Sequence, residues 1–557
     1  MIHDLSKAKD LPADSHICIV GSGPAGAILA KELLSTGLRV VVLESGLAKI
    51  TSRGDALRAT ESEGLWIKPW SRERVLGGAS TTWAGLSSPL DDADLAPRAH
   101  LGGVAWPIPA AELSELWEQA ARRHRFPRAS DFGPRGFARL RSKGDLQPIW
   151  QELEEKVFLA AAEPQNFGTE CREVWESKST DLLLDATVTQ LHFDEDLGRV
   201  SRLSVVDRTG QTHTIRAKVF VLACGGIENA RLLLASPGPD GVSLGNGQDQ
   251  VGRCFMNHPK SYAGKISFFD PVRSAPYFFG CIDGEFAGYA GLRLPTERQA
   301  EEGLMNSYVR LEPLFPWTDN PGIEALVTLV KQTSGFMRLF RRSRQDELVE
   351  LRDYSETGDD SEIQNARRGF WGWLALGFTV LVHLPGVLHY LAYRLTRRTA
   401  PIHGARIRAF MEMEPRAENR VTLSDKLDPN GQRLPLITHD VSPLDRKSIL
   451  AVYGALDREI ERLELGSLEG ALTDEDPWPI NQDASHHMGT TRMGREPANS
   501  VTDPNLLVRG SGNVYAAGAS VFPTSGCANP TYTIAALSIR LARHLEQVVA
   551  TDEESKA

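Results

Sequence analysis

The sequence predicts an α/β fold, α+β overall. One domain winds strands and helices around a mainly parallel sheet, and a second carries a mixed or antiparallel sheet with helices. Three observations predict it. A strand–loop–helix–strand order runs from His16 to Glu44. Short strand-like runs broken by polar turns follow from about Thr180 to Val221. The chain then closes on a helical pattern, TYTIAALSIRLARHL, after a Gly- and Thr-rich stretch.

The chain has 557 residues, which implies about two domains or one with large insertions. Its net charge is −10 with no basic tract at either end, which argues against nucleic-acid binding. The acidity suits a cationic substrate weakly, and solubility accounts for it more simply. Six scattered cysteines form no CxxC pair and do not resemble a disulfide framework. The polar start, MIHDLSKAKD, has no apolar signal-peptide core, so the expected compartment is cytoplasmic.

The apolar run His16 to Val20 reads as a buried strand. GSGPAG follows, then a helical stretch ended by Gly37, then LRVVVLE as a second strand. Gly21, Gly23 and Gly26 fill a GxGxxG frame around Ser22. The first permits the tight turn, the second lets a pyrophosphate approach the backbone, and the third lets the helix pack close to the strand. The helix N-terminus offers free N–H groups to phosphate. Glu44, at the end of the second strand, is placed to accept hydrogen bonds from ribose hydroxyls. An acid there favours FAD or NAD over NADP, and the loop alone does not separate the first two.

The next signal is RVLGGASTTW, residues 74–83, where Gly77 and Gly78 permit close approach to a planar ring or a phosphate. By itself it is a glycine-rich loop of no fixed meaning.

Taken together, the motifs resemble the glucose–methanol–choline (GMC) oxidoreductase family. The resemblance is carried by GSGPAG with Glu44, RVLGGASTTW, AKVFVLACGGIENARLLLAS, VGRCFMNHP, EMEPRAENRVTLSD, HHMGTTRMG and VYAAGASVFPTSGCANPTYTIAALS, in family order from about residue 15 to 545. Within the family the chain looks closest to the pyranose oxidase-like and bacterial sugar oxidoreductase branch with a C-terminal Asn-Pro-Thr. The resemblance implies a Rossmann-like FAD-binding domain, discontinuous over 10–95, 175–265 and 481–545. It implies a substrate domain over 96–174 and 266–480, with a helical insertion at 322–400. Residues 551–557 are expected to be a mobile tail. Cofactor contacts are expected from Gly21, Ser22, Gly23, Gly26, Glu44, Gly77, Gly78, Ser80, Thr81, Thr82, Val188, Ala223, Gly518, Ala519, Asn529, Pro530 and Thr531. In pyranose oxidases a histidine in the second loop is bonded to the flavin. Thr82 stands at that position, so FAD is expected to be held non-covalently.

Oxidation of an alcohol needs a base for the hydroxyl proton and an acceptor, the flavin N5, for the hydride of the same carbon. The family places its base three residues before the glycine of Gly-Thr, which is His486. The second family residue is Asn529, whose amide can hold the substrate oxygen without competing as a base. His487 is given a structural reading and His258 no role. Arg492 is left between a carbonyl or phosphate contact and a structural ion pair.

Gly369 to Tyr393 carries no formal charge and is flanked by Arg367, Arg368 and Arg394, the length of a membrane span. The FAD-binding half lies both before and after it, so a single crossing would divide one domain across a bilayer. Leu384-Pro385-Gly386 is expected to break the run into a hairpin of two helices. Gly322 to Arg344 adds an amphipathic pattern with a basic end. A buried lid and a peripheral membrane or oligomer contact through 322–398 both remain open.

The expected activity is FAD-dependent oxidation of a CH–OH group of a sugar, glycoside or aminosugar-like molecule, with oxygen or another electron acceptor. A hydrophobic long-chain or sterol alcohol is one alternative, and a FAD-containing lyase of the same family is another. No nucleic acid and no metal enter any of these readings.

Overall fold

The computed structural model describes residues 1–8, 15–161, 163–332, 370–396, 400–470, 472–483 and 485–554. Six strands form a parallel sheet in the spatial order Ile2–Asp4, Thr180–Leu184, Val40–Glu44, Ser15–Val20, Ala217–Leu222 and Val514–Ala516. The inner strands are continuous apolar runs rather than alternating ones: all of Val40–Glu44 is buried. That is the pattern of a strand covered on both faces. The helix Pro24–Glu32 covers one face with Ala27, Ile28 and Leu29. Around it packs the C-terminal helix Thr531–Glu554. A three-stranded antiparallel sheet, Thr187–Asp194, Arg199–Val206 and Thr212–Ile215, stands beside this layer.

The second body is an eight-stranded antiparallel sheet. Its order is Gly466–Glu469, Lys260–Val272, Ile402–Phe410, Tyr308–Leu314, Phe286–Arg293, Glu154–Ala161 and Leu86–Ser87, with Gly280–Ile282 beside Phe286–Arg293. Side chains alternate between its faces. Val309, Leu311, Ile407 and Ala409 join the core under the helix Pro443–Arg462, where Ile449, Val452, Leu456 and Ile460 meet them. That helix starts on a capping box of Ser442 and Asp445 with Pro443 behind the cap. The opposite face of the sheet carries Tyr308, Arg310, Arg408 and Phe410 and turns toward the parallel-sheet body across a deep cavity.

The cores do not follow the sequence division of the chain. Trp106, Leu113, Trp117, Phe126 and Trp175 pack into the core of the parallel sheet, as do Met413, Val421 and Ile437. Trp117 donates to Thr533 Oγ1 at 3.2 Å, tying the helix Ala110–His124 to the C-terminal helix. Conversely, Leu86–Ser87 pairs with Glu154–Ala161 in the antiparallel sheet. Sequence proximity suggested the opposite assignments; apolar faces and strand edges decide them.

The apolar run forms two helices, Phe370–Val382 and Leu384–Thr396, set at 80°. It is an elbow rather than the expected hairpin, and the break falls at His383. Pro385 lies in the first turn of the second helix, where its missing N–H removes no helical bond. No single helix among the described residues is long and apolar enough to cross a membrane. The elbow rests on the helix Pro321–Gln332 and on Trp317, whose ring meets Tyr390 and Tyr393 at 5.4 and 5.5 Å. The rest of the amphipathic pattern, residues 333–344, lies outside the described residues. The expected tail at 551–557 is corrected in part: the helix continues through Glu554, and 555–557 lie outside the described residues.

Candidate active site

The first glycine loop joins Ser15–Val20 to Pro24–Glu32. Gly21 has φ +106°, and a Cβ there would lie 2.6 Å from the Ala223 carbonyl oxygen. A Cβ on Gly26 would lie 2.0 Å from the Gly21 carbonyl oxygen, so only glycine lets helix and strand approach this closely. At Gly23 nothing lies within 4 Å of such a carbon. The space in front of the helix N-terminus is open, as a phosphate cradle requires.

Glu44 braces this loop. One of its carboxylate oxygens accepts from the Ser22 N–H at 3.1 Å and the Ser22 hydroxyl at 2.6 Å, and the other from the Gly46 N–H at 2.8 Å. The Gly77 N–H donates to Ser22 Oγ at 3.2 Å, so one serine couples the two glycine loops.

A cavity of about 410 Å³ runs from these loops to the antiparallel sheet. Of the residues expected to touch cofactor, Gly21, Gly23, Glu44, Gly78, Ser80, Thr82, Val188, Ala223, Gly518, Ala519, Asn529, Pro530 and Thr531 line it. Ser22, Gly26, Gly77 and Thr81 stand behind the lining. Thr81 turns its hydroxyl onto the Gly78 carbonyl at 2.9 Å. The open helix terminus, the glycine walls and the carboxylate at the second strand end together fit a dinucleotide.

His486 lies in the loop before Met488, which pairs with Met256 through two backbone hydrogen bonds of 2.9 and 3.0 Å. Asn257 clamps this junction: its carbonyl oxygen accepts from the backbone N–H of His258 at 2.8 Å and of His486 at 3.2 Å. Asp483 holds Asn257 from behind through the amide nitrogen. Its carboxylate also meets His487 Nε2 at 3.3 Å and the Lys68 N–H at 3.2 Å. His487 stacks on Phe255.

The ring contacts fix which nitrogen of His486 bears a proton. His258 Nε2 lies 2.8 Å from the Gly526 carbonyl oxygen, which only accepts, so this nitrogen carries hydrogen. Neutral His258 then presents a bare Nδ1, 2.8 Å from His486 Nδ1. His486 must donate from Nδ1, which leaves its Nε2 bare. That atom lies 3.3 Å from Asn529 Nδ2 and faces the cavity. Burial holds His486 well below the ordinary histidine range, and burial brings His258 to about 4. An unprotonated imidazole with an exposed lone pair beside an amide donor is an arrangement for accepting a proton from a bound hydroxyl.

His258 was given no role from sequence, and its contact with His486 is the main feature missed; NHP in the middle of the chain was the available signal. Among the described residues Arg492 contacts no acid, it does not line the cavity, and it donates to Gln250 at 3.2 Å. Also missed were Lys68, Lys260, Arg310 and Arg408, which line the sheet side of the cavity.

Two family models match the chain. One, described as GMC oxidoreductase, covers residues 415–538 and so contains His486 and Asn529. The other, described as FAD binding domain, covers residues 14–62 and contains the first glycine loop and Glu44. Residues 415–538 are a GMC oxidoreductase domain. With the FAD binding domain the chain binds FAD, and the cavity built on the two glycine loops is where the cofactor fits. The chain is 25% identical to a 6'''-hydroxyparomomycin C oxidase of Streptomyces lividus, over 96% of this chain and 92% of that one. It is 26% identical to the fructose dehydrogenase large subunit of Gluconobacter japonicus, over 66% of this chain and 54% of that one. A fungal aryl-alcohol oxidase shares its fold at TM-score 0.53 and 12% identity, covering 96% and 99% of the two chains.

Proposed function

We propose that this protein oxidises a CH–OH group of a sugar, glycoside or aminosugar-like molecule to a carbonyl. The observation that carries the proposal is the bare Nε2 of His486, 3.3 Å from the Asn529 amide in the cavity wall. A hydroxyl in the cavity within reach of both donates its proton to His486 Nε2 and accepts a hydrogen bond from Asn529. The base thereby builds alkoxide character on the substrate, which drives the hydride off the same carbon and leaves the carbonyl. Bound FAD supplies the two-electron acceptor for that hydride. His258 takes the Nδ1 hydrogen bond of the imidazolium and so keeps Nε2 directed at the substrate. Relatives named for fructose and for a paromomycin support the carbohydrate class. The electrons pass on to oxygen or to another acceptor.

The test is the anaerobic absorbance of the FAD-loaded protein mixed with sugars, glycosides, aminosugars and long-chain alcohols. Bleaching of the flavin band by a carbohydrate supports the reading, and bleaching by long-chain alcohols alone overturns its substrate class. A flavin that no alcohol bleaches overturns the oxidation itself.

Thr82 supports non-covalent cofactor binding. Its side chain carries no imidazole or thiol, and its hydroxyl contacts the Trp70 and Ala79 carbonyls. Acid precipitation should therefore release the flavin into the supernatant.

The elbow supports a peripheral membrane contact, at the cytoplasmic face by the sequence reading. Phe378 and Leu381 are 68% and 67% exposed, and Leu374, Val382, Leu388 and Leu395 extend the apolar surface. Flotation of the intact protein with liposomes tests this, and a protein left at the bottom of the gradient contradicts it.

A further inference from the structure

The sheet side of the cavity is strongly cationic. Lys68, Lys260, Arg310 and Arg408 all line it, and all four are less than a tenth exposed. The arrangement follows from strand register. Arg310 and Arg408 stand directly opposite each other on Tyr308–Leu314 and Ile402–Phe410, and Lys260 stands opposite Phe410. Like charges placed directly opposite across a ladder are unfavourable, the more so when buried. The acidic groups among them are few. Glu312 lies 3.8 Å from Arg310 and 3.6 Å from Arg408 and accepts from the Tyr262 hydroxyl at 2.8 Å. Asp483 is committed to Asn257, Ser485, His487 and the Lys68 backbone. Arg310 lies over the Tyr289 ring at 3.9 Å, and its buried Nε has no hydrogen-bond partner among the described residues.

The field is felt at Lys260. Burial first, then the charges of Arg408 and Lys68, push its ammonium well below the ordinary lysine range. Lys260 follows His258 by two residues and lines the same cavity as His486, whose Nδ1 lies 2.8 Å from His258, which places the lysine near the base. The cofactor end of the cavity has its own compensation: Arg72, Arg74 and Arg231 line it together with Glu44, Glu73, Glu228 and Asp428, Glu228 pairing with all three arginines and Asp428 with Arg231. The excess positive charge therefore belongs to the end that holds His486.

We propose that the substrate alcohol is an anion, carrying a carboxylate or a phosphate that Lys260, Arg310 and Arg408 bind while its carbinol reaches His486. This rests on the oxidation proposed above and names the substrate class within it. Buried cations crowded on one wall disfavour one another, and an anion that forms charge-assisted hydrogen bonds with them offsets that cost. The net charge of −10 for the whole chain says nothing against this, because the cavity has the opposite local sign.

The test is calorimetric binding to the FAD-loaded protein, with no turnover required. The probes are D-glucuronate and D-glucose 6-phosphate, compared with uncharged D-glucose and cationic D-glucosamine. At least one anion should bind 10-fold or more tighter than glucose, with glucosamine weakest, and the better of the two tells carboxylate from phosphate. Lys260→Met and, independently, Arg310→Met should each reduce that advantage over glucose 10-fold or more with flavin content retained. Anions that bind no tighter than glucose, or glucosamine binding tightest, would overturn the proposal. An anion preference in an enzyme whose flavin no alcohol reduces would leave this assignment standing and refute the oxidation instead.

Discussion

The Nδ1 atoms of His258 and His486 lie 2.8 Å apart, and one of the two rings must donate. The Gly526 carbonyl settles which one, because it fixes the hydrogen of His258 on the far nitrogen. A chain of three groups thus sets the tautomer of His486 and leaves its Nε2 bare toward Asn529. His258 touches neither substrate nor cofactor in this account and acts as a positioning residue.

Replacing His258 tests that role. In His258→Phe the Nδ1 partner is lost, and His486 is free to take either tautomer and to rotate. Flavin reduction should slow by about 10- to 100-fold, less than the loss expected when the general base itself is removed. Substrate affinity should change little. A merely structural His258 would lose flavin and thermal stability in step with activity. The positioning role instead predicts a fall in kcat with flavin content retained, and partial rescue in His258→Gln, whose side-chain oxygen can accept.

The pH profile tests the electrostatics. His486 must be unprotonated to act as base, and burial holds it well below its ordinary value. Activity is therefore present above the folded-state pKa and is lost as pH falls through it. The acidic limb of kcat/KM should lie below the ordinary histidine value of about 6.5 rather than on it. A limb at or above that value would contradict the assigned environment of the base.

The glycine loop gives a stability prediction. Gly26→Ala puts a methyl carbon 2.0 Å from the Gly21 carbonyl oxygen, a backbone atom with no side-chain freedom to yield. Overpacking of this kind costs about 1–3 kcal/mol. The variant should show a lowered unfolding midpoint and poor flavin retention. Gly23→Ala has nothing within 4 Å of its new carbon in the protein, so it should keep its stability and lose cofactor affinity.

The two glycine loops were legible because they are local: a tight turn between a strand and a helix leaves its mark in consecutive residues. His486 and Asn529 were legible only through the motifs around them, since an isolated histidine or asparagine carries no signature. The cationic wall was not legible. Lys260, Arg310 and Arg408 are far apart in sequence and become neighbours only through sheet register. Alternation in YVRLEPL and IHGARIRAF shows that a strand has two faces, and does not show that the charged faces of two strands share one cavity. The same limit explains His258, whose meaning depends on a contact 228 residues away. The elbow was misread as a hairpin because composition locates a break and gives no angle.

The most direct test of the central claim is the rate of flavin reduction by substrate in anaerobic single turnover, wild type against His486→Ala, both fully loaded with FAD. The account predicts that the variant keeps its flavin and its fold and loses about 10²–10⁴-fold in reduction rate. A variant reduced at the wild-type rate would remove His486 as the base and, with it, the mechanism.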